Sequence, residues 1–146
     1  QLADIPLPDG ILRVDKVTVS EPAEICLGHY SLPRLDSDIK ETGCKVGKQN
    51  IPVLSNGKYE LAMIPLTGWE KTYTVYPVSE KCALNMVSDQ LSGEKIYVTL
   101  QLWKKNEKRG FTSKELTPVK SVHVSEDKKQ VTVCLSNGEI KTISFE

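Results

Sequence analysis

QVTVCLSNGEIKTISFE, residues 130–146, alternates Val131, Val133 and Leu135 with Thr132 and Cys134, breaks at Ser136-Asn137-Gly138, and resumes with Ile140, Ile143 and Phe145. Alternation with a period of two sends successive side chains to opposite faces of a strand. Asn-Gly between two such runs is a strong hairpin signal, because both central residues of a type I′ turn need a positive φ. A two-residue turn at Asn137-Gly138 pairs Leu135 with Ile140 and leaves Ile143 and Phe145 in phase with Cys134. Either a bulge near Lys141-Thr142 restores the phase, or this ribbon is buried on both faces.

The same tetrapeptide occurs at Leu54–Gly57, followed by Lys58-Tyr59-Glu60-Leu61, and a looser version at Leu91-Ser92-Gly93-Glu94 leads into Ile96-Tyr97-Val98. Three hairpins are therefore expected, with Leu54 opposite Tyr59 in the first of them. Lys95–Trp103 is the cleanest strand: Ile96, Val98, Leu100 and Leu102 share one phase, and Tyr97, Thr99, Gln101 and Trp103 the other. Ile11–Ser20 reads as a strand with a bulge or a switch of faces near Asp15-Lys16. Ala23–Leu27, Ile51–Leu54, Lys58–Ile64, Lys71–Val78, Lys81–Val87 and Val119–Ser125 supply further runs. Gln1–Gly10, with two prolines and an Asp-Gly, reads as an extended arm. Gly28–Asn50 is irregular; Asp36 and Asp38 are placed to cap one helical turn through Lys40-Glu41. Helical periodicity is sustained nowhere over eleven residues. The chain is expected to be one all-β domain, residues 1–146, with eight to ten short strands in an antiparallel sandwich; a closed or partly open barrel is the alternative. Phase shifts within strands favour the sandwich, where strands cross corners between sheets.

Composition narrows function by exclusion. Lys+Arg and Asp+Glu both total 19, so no overall positive field is available to neutralise nucleic-acid phosphates. Apolar runs such as Ile64-Pro65-Leu66 are too short for a membrane-spanning helix. The four cysteines, Cys26, Cys44, Cys82 and Cys134, have no close pair of the kind zinc sites use. Two disulfides, Cys26–Cys44 and Cys82–Cys134, are expected, and with them secretion after removal of a signal peptide. The first residue, Gln1, fits such processing, since a Gln exposed by cleavage can cyclise.

No phosphate-binding loop, nucleophile elbow or zinc-protease helix occurs, and no metal or cofactor is implied. Asp36-Ser37-Asp38 lacks the glycine and distant glutamate of a calcium loop, and Glu126/Asp127 read as turn residues. His29 and His123 are the two histidines; a ribonuclease-like hydrolase would use them as acid and base within about 7 Å of each other. The leading expectation is a secreted, non-enzymatic module of effector, virulence or adhesion type that binds a protein partner. Its contact residues are expected around Trp103 and the basic loop: Trp103, Lys104, Lys105, Lys108, Arg109 and Phe111. A third reading is carbohydrate binding through Trp69 or Trp103, whose rings can stack on sugars.

Overall fold

The computed structural model describes residues 1–30, 40–69, 72–79, 82–105 and 110–146; for 28–30, 40–42, 72–79 and 82–86 it describes the backbone only. Period-two patterning yields twelve strands among these residues: β1 (Leu2–Leu7), β2 (Gly10–Thr18), β3 (Ala23–Tyr30), β4 (Lys40–Val46), β5 (Gln49–Ser55), β6 (Tyr59–Thr67), β7 (Thr72–Ser79), β8 (Cys82–Leu91), β9 (Glu94–Lys105), β10 (Val119–Val124), β11 (Gln130–Leu135) and β12 (Ile140–Ser144). All pairings are antiparallel. The sheets are open and the fold is all-β, consistent with a sandwich and not a closed barrel.

The largest sheet has six strands in the order β1-β2-β9-β6-β5-β4. β9 lies at its centre, paired with β2 on one side and β6 on the other. Both phases of β9 are buried, Ile96, Val98, Leu100 and Leu102 on one face and Tyr97, Thr99 and Gln101 on the other. The first phase joins Leu12, Val14, Ala62 and Ile64 in the main core, which the β10-β11-β12 sheet covers with Val131, Val133 and Leu135. Fully burying such a side chain contributes about 1.5–3 kcal/mol. β9 and its neighbour β6 are thus buried on both faces, and the C-terminal hairpin covers one of those faces.

The hairpin's phase problem is solved one turn earlier than Lys141-Thr142. The N–H of Gly138 donates to the Leu135 carbonyl at 3.0 Å, and that of Leu135 donates to the Glu139 carbonyl at 2.8 Å. With Gly138 at φ +93°, this is a three-residue loop whose glycine forms a bulge. The register moves by one: Cys134 pairs with Ile140, and Val131 with Ile143. Ile143 returns to the core side, and Ile140 is left 67% exposed.

The second Asn-Gly corner also closes later than a two-residue turn would. Ser55 pairs with Glu60 and Leu54 with Leu61, not with Tyr59. The N–H groups of Lys58 and Tyr59 donate to Asn56 Oδ1 at 3.0 and 2.8 Å, so the Asn56 side chain holds the longer loop closed.

Leu91-Ser92-Gly93-Glu94 is a corner rather than a hairpin. β8 pairs with β3 and β7, whereas β9 pairs with β2 and β6. The order β2-β9-β6 is repeated past the corner as β3-β8-β7, so three neighbouring strands bend together from one sheet into the next. The N–H of Val19 donates to the Gly93 carbonyl at 2.9 Å and ties two of the bends to each other. This is how strands change sheet in a sandwich.

Other expectations need revision. Within the extended arm Gln1–Gly10, Leu2–Leu7 pairs along β2 as strand β1, and β2 runs through Asp15-Lys16 in unbroken register, with no bulge. Lys40 and Glu41 open β4, not a helical turn; Asp36 and Asp38 lie outside the described residues.

Candidate binding surface

Trp103 is 43% exposed on the face of the six-stranded sheet that points away from the main core. Its backbone N–H donates to the Asp9 carbonyl at 3.0 Å, which pins the end of β9 to the β1–β2 turn. It pairs across β6 with buried Leu61. Two residues further along each strand, Lys105 pairs with Tyr59, which is 38% exposed. The Lys58 ammonium sits 5.4 Å from the centre of the Tyr59 ring. On the other side of β9, Ile11 pairs with Gln101 and with Pro6 of β1, in the same phase as Trp103; Pro6 is exposed and Ile11 half-buried. Pro6, Ile11, Trp103 and Tyr59 therefore lie along a diagonal across four neighbouring strands.

The residues expected to form one contact patch separate between the two faces. Lys104 points the opposite way from Trp103, as alternation requires. Its Nζ donates to the Gly110 carbonyl at 3.3 Å and to Glu115 Oε2 at 3.0 Å, and lies 5.4 Å from the centre of the Phe111 ring. Thr112 and Glu115 cap each other: Thr112 N and Oγ1 donate to Glu115 Oε1 at 3.0 and 2.9 Å, and Glu115 N donates to Thr112 Oγ1 at 3.3 Å. Burial alone would raise the Glu115 carboxyl; the bonds from Lys104 and Thr112 outweigh it and hold the group below its ordinary range. Phe111 packs on the core and Leu116 is buried in it. Lys104 and Phe111 thus fasten the β9–β10 connection to the sheet. Lys105 stays exposed on the Trp103 side, and Lys108 and Arg109 lie outside the described residues.

Beside this corner, Glu60 is only 4% exposed, and its Oε2 has no hydrogen-bond partner among the described residues. A Cβ at Gly110 would stand 3.0 Å from Glu60 Oε1, a tight contact that the carboxylate would have to relieve by a small shift.

Trp69 is held in place internally. Its Nε1 donates to Thr99 Oγ1 at 2.8 Å, and its ring lies 4.2 Å, centre to centre, from that of Tyr97. The Tyr97 hydroxyl donates to Asp89 Oδ2 at 2.7 Å, and Lys95 Nζ donates to the same oxygen at 2.8 Å. These contacts cross the Ser92-Gly93 corner and bind β8 to β9.

His123 is exposed on β10 opposite Thr132, and His29 lies on β3 opposite Asn85, in a different sheet. The β10-β11-β12 sheet covers the main core, whereas β8, the neighbour of β3, meets β9 through Tyr97 on the other face. The two histidines thus stand on strands of different sheets, and the side chain of His29 lies outside those described. An open groove of about 360 Å³ is lined, among the described residues, by Gln1, Lys16, Thr18, Glu94 and Glu146. Among the described residues no cluster of three His, Cys, Asp or Glu side chains is placed to hold a metal ion. Asp127 accepts from Ser125 Oγ at 2.6 Å and from the Lys129 N–H at 3.1 Å, which makes it a turn residue.

The expected disulfides are not formed. Cys26, Cys44 and Cys134 are free thiols; the side chain of Cys82 is not among those described. Cys44 on β4 donates to the Phe111 carbonyl at 3.3 Å, Cys26 is exposed on β3, and Cys134 lies on β11, so the three sit in three different sheets.

The residues missed from sequence are those around Trp103. Tyr59 carried the right phase, but nothing local tells that β6 is the neighbour of β9 rather than of another strand. No protein-family model, curated protein or solved structure matches the chain.

Proposed function

We propose that this protein is a non-enzymatic binding domain, of effector or adhesion type, that engages another macromolecule through the Trp103 face of its central sheet. The observation that carries the reading is Trp103 itself, a large aromatic left 43% exposed beside an exposed Tyr59. Leaving such a side chain in water forgoes burial energy that a partner recovers. The site stands on a strand buried on both faces, so its geometry is set before a partner arrives and little ordering entropy is lost on docking.

The test uses the intact protein as bait against extracts, with wild type and Trp103→Ala in parallel and circular dichroism to confirm equal folding. A partner retained by wild type and reduced at least tenfold by the substitution supports the reading. Equal retention of every species by both proteins refutes it.

A further inference from the structure

We infer that the ligand of the Trp103 face is an uncharged polysaccharide chain lying along the Pro6–Ile11–Trp103–Tyr59 diagonal; this rests on the binding role proposed above. The shape of the strip favours an extended ligand. Neighbouring strands are about 4.8 Å apart, so three spacings from β1 to β6 make a strip roughly 14 Å across, longer when followed diagonally. It is narrow, because the buried Leu61, Met63 and Gln101 beside it offer little surface. A protein's apolar anchors fill pockets. Here the aromatic and apolar groups stand on a pleated sheet face, which suits a ligand that lies flat.

The chemistry of the exposed rings matches a sugar. The C–H face of a pyranose ring is apolar and slightly positive, the complement of the negative face of an indole or phenol ring. Trp103 and Tyr59 supply two such rings on adjacent strands.

Charge on the two margins of the strip is of opposite sign. Exposed Asp4 and Asp9 stand on the β1 side of the strip, and exposed Lys58 and Lys105 on the β6 side. Within the sheet, Arg13 and Asp15 neutralise each other at 3.0 Å. Acids on one margin and bases on the other disfavour a strongly anionic or cationic chain. They do suit hydroxyl groups, each of which both donates and accepts hydrogen bonds.

The experiment titrates the full chain with neutral hexasaccharides (β-1,4-glucan, β-1,3-glucan, chitin and mannan types) and with heparin and polygalacturonate as charged controls. Binding is read by tryptophan fluorescence and calorimetry. The expected result is binding of at least one neutral hexasaccharide, weaker for its disaccharide. Trp103→Ala should weaken it at least tenfold and Tyr59→Ala at least threefold, while Trp103→Phe retains part of the affinity. Binding by none of the neutral chains, binding unchanged in Trp103→Ala, or binding only of charged chains that salt abolishes overturns the inference. If no glycan binds but a protein is captured in a Trp103-dependent way, the glycan assignment fails and the binding role stands. If neither occurs, both fail.

Discussion

Replacing Tyr97 by Phe removes one oxygen atom from the corner where β8 turns into β9. The hydroxyl is fully buried and donates to Asp89 Oδ2 at 2.7 Å; the Asp89 side chain is itself fully buried and also takes Lys95 Nζ at 2.8 Å. A hydrogen bond to a charged acceptor is worth about 1.5–3 kcal/mol, and phenylalanine keeps the ring packing against Trp69. The expected loss is therefore about 2 kcal/mol, without a cavity penalty. With a urea slope of about 2 kcal/mol/M, the unfolding midpoint falls by about 1 M at unchanged slope. Because the bond crosses the corner, amide exchange should quicken first in residues 87–91 of β8, while β11 keeps its protection. Pairing Tyr97→Phe with Asp89→Asn should give non-additive losses, since both substitutions act on one network. A midpoint shift below about 0.2 M, or equal loss of protection across all three sheets, would refute the account of this network as the tie between β8 and β9.

Gly68→Ala and Gly138→Ala separate conformational strain from collision. Both positions have positive φ, but a Cβ at 68 would stand 2.3 Å from the Ile96 carbonyl oxygen, whereas at 138 it meets nothing within 4 Å. Thermal melts should show about 1 kcal/mol lost at 138 and more than 3 at 68, where backbone must shift as well. In acid, Glu115 should matter. Its folded carboxyl titrates below the unfolded value of about 4.3, so its stabilising effect is complete above that pH and disappears as pH falls through the folded value. Stability measured from pH 5 to 2.5 should therefore decline less steeply in Glu115→Gln than in wild type. The Cys26 thiol is pushed up by partial burial, then by the charge of Glu24 and its hydrogen bond. Less thiolate at a given pH means slower alkylation, so Glu24→Gln should shift the rate–pH profile of Cys26 downward in pH. An unmoved profile would count against that contact.

Period-two alternation was enough to show an all-β chain, because it reports which side chains share a face and depends only on neighbours in sequence. It placed Trp103 in the phase opposite Leu100 and Leu102, and so singled out the exposed aromatic. The same alternation necessarily divided Trp103 from Lys104, although composition had grouped them. Turn chemistry marked the reversals at Asn56-Gly57 and Asn137-Gly138 but not their register, which followed from an Asn56 side chain bond and a Gly138 bulge. At Gly93 a similar tetrapeptide became a corner, because the strands on either side found partners in different sheets. Gln1–Gly10 and the residues after Lys40 carried little local strand signal; β1 and β4 exist because β2 and β5 offer edges for them to pair with.

What the sequence by itself determined was the all-β class, the two phases of β9 and the balance of positive and negative charge. Tertiary structure decided which strands are neighbours, that three of them bend together through a corner, and that Tyr59, Ile11 and Pro6 line up with Trp103. It also placed Cys26, Cys44 and Cys134 in separate sheets. The reason is physical: a side chain's face follows from backbone geometry one residue at a time, whereas its neighbours across a sheet are fixed by contacts between segments distant along the chain, for which no local pattern exists.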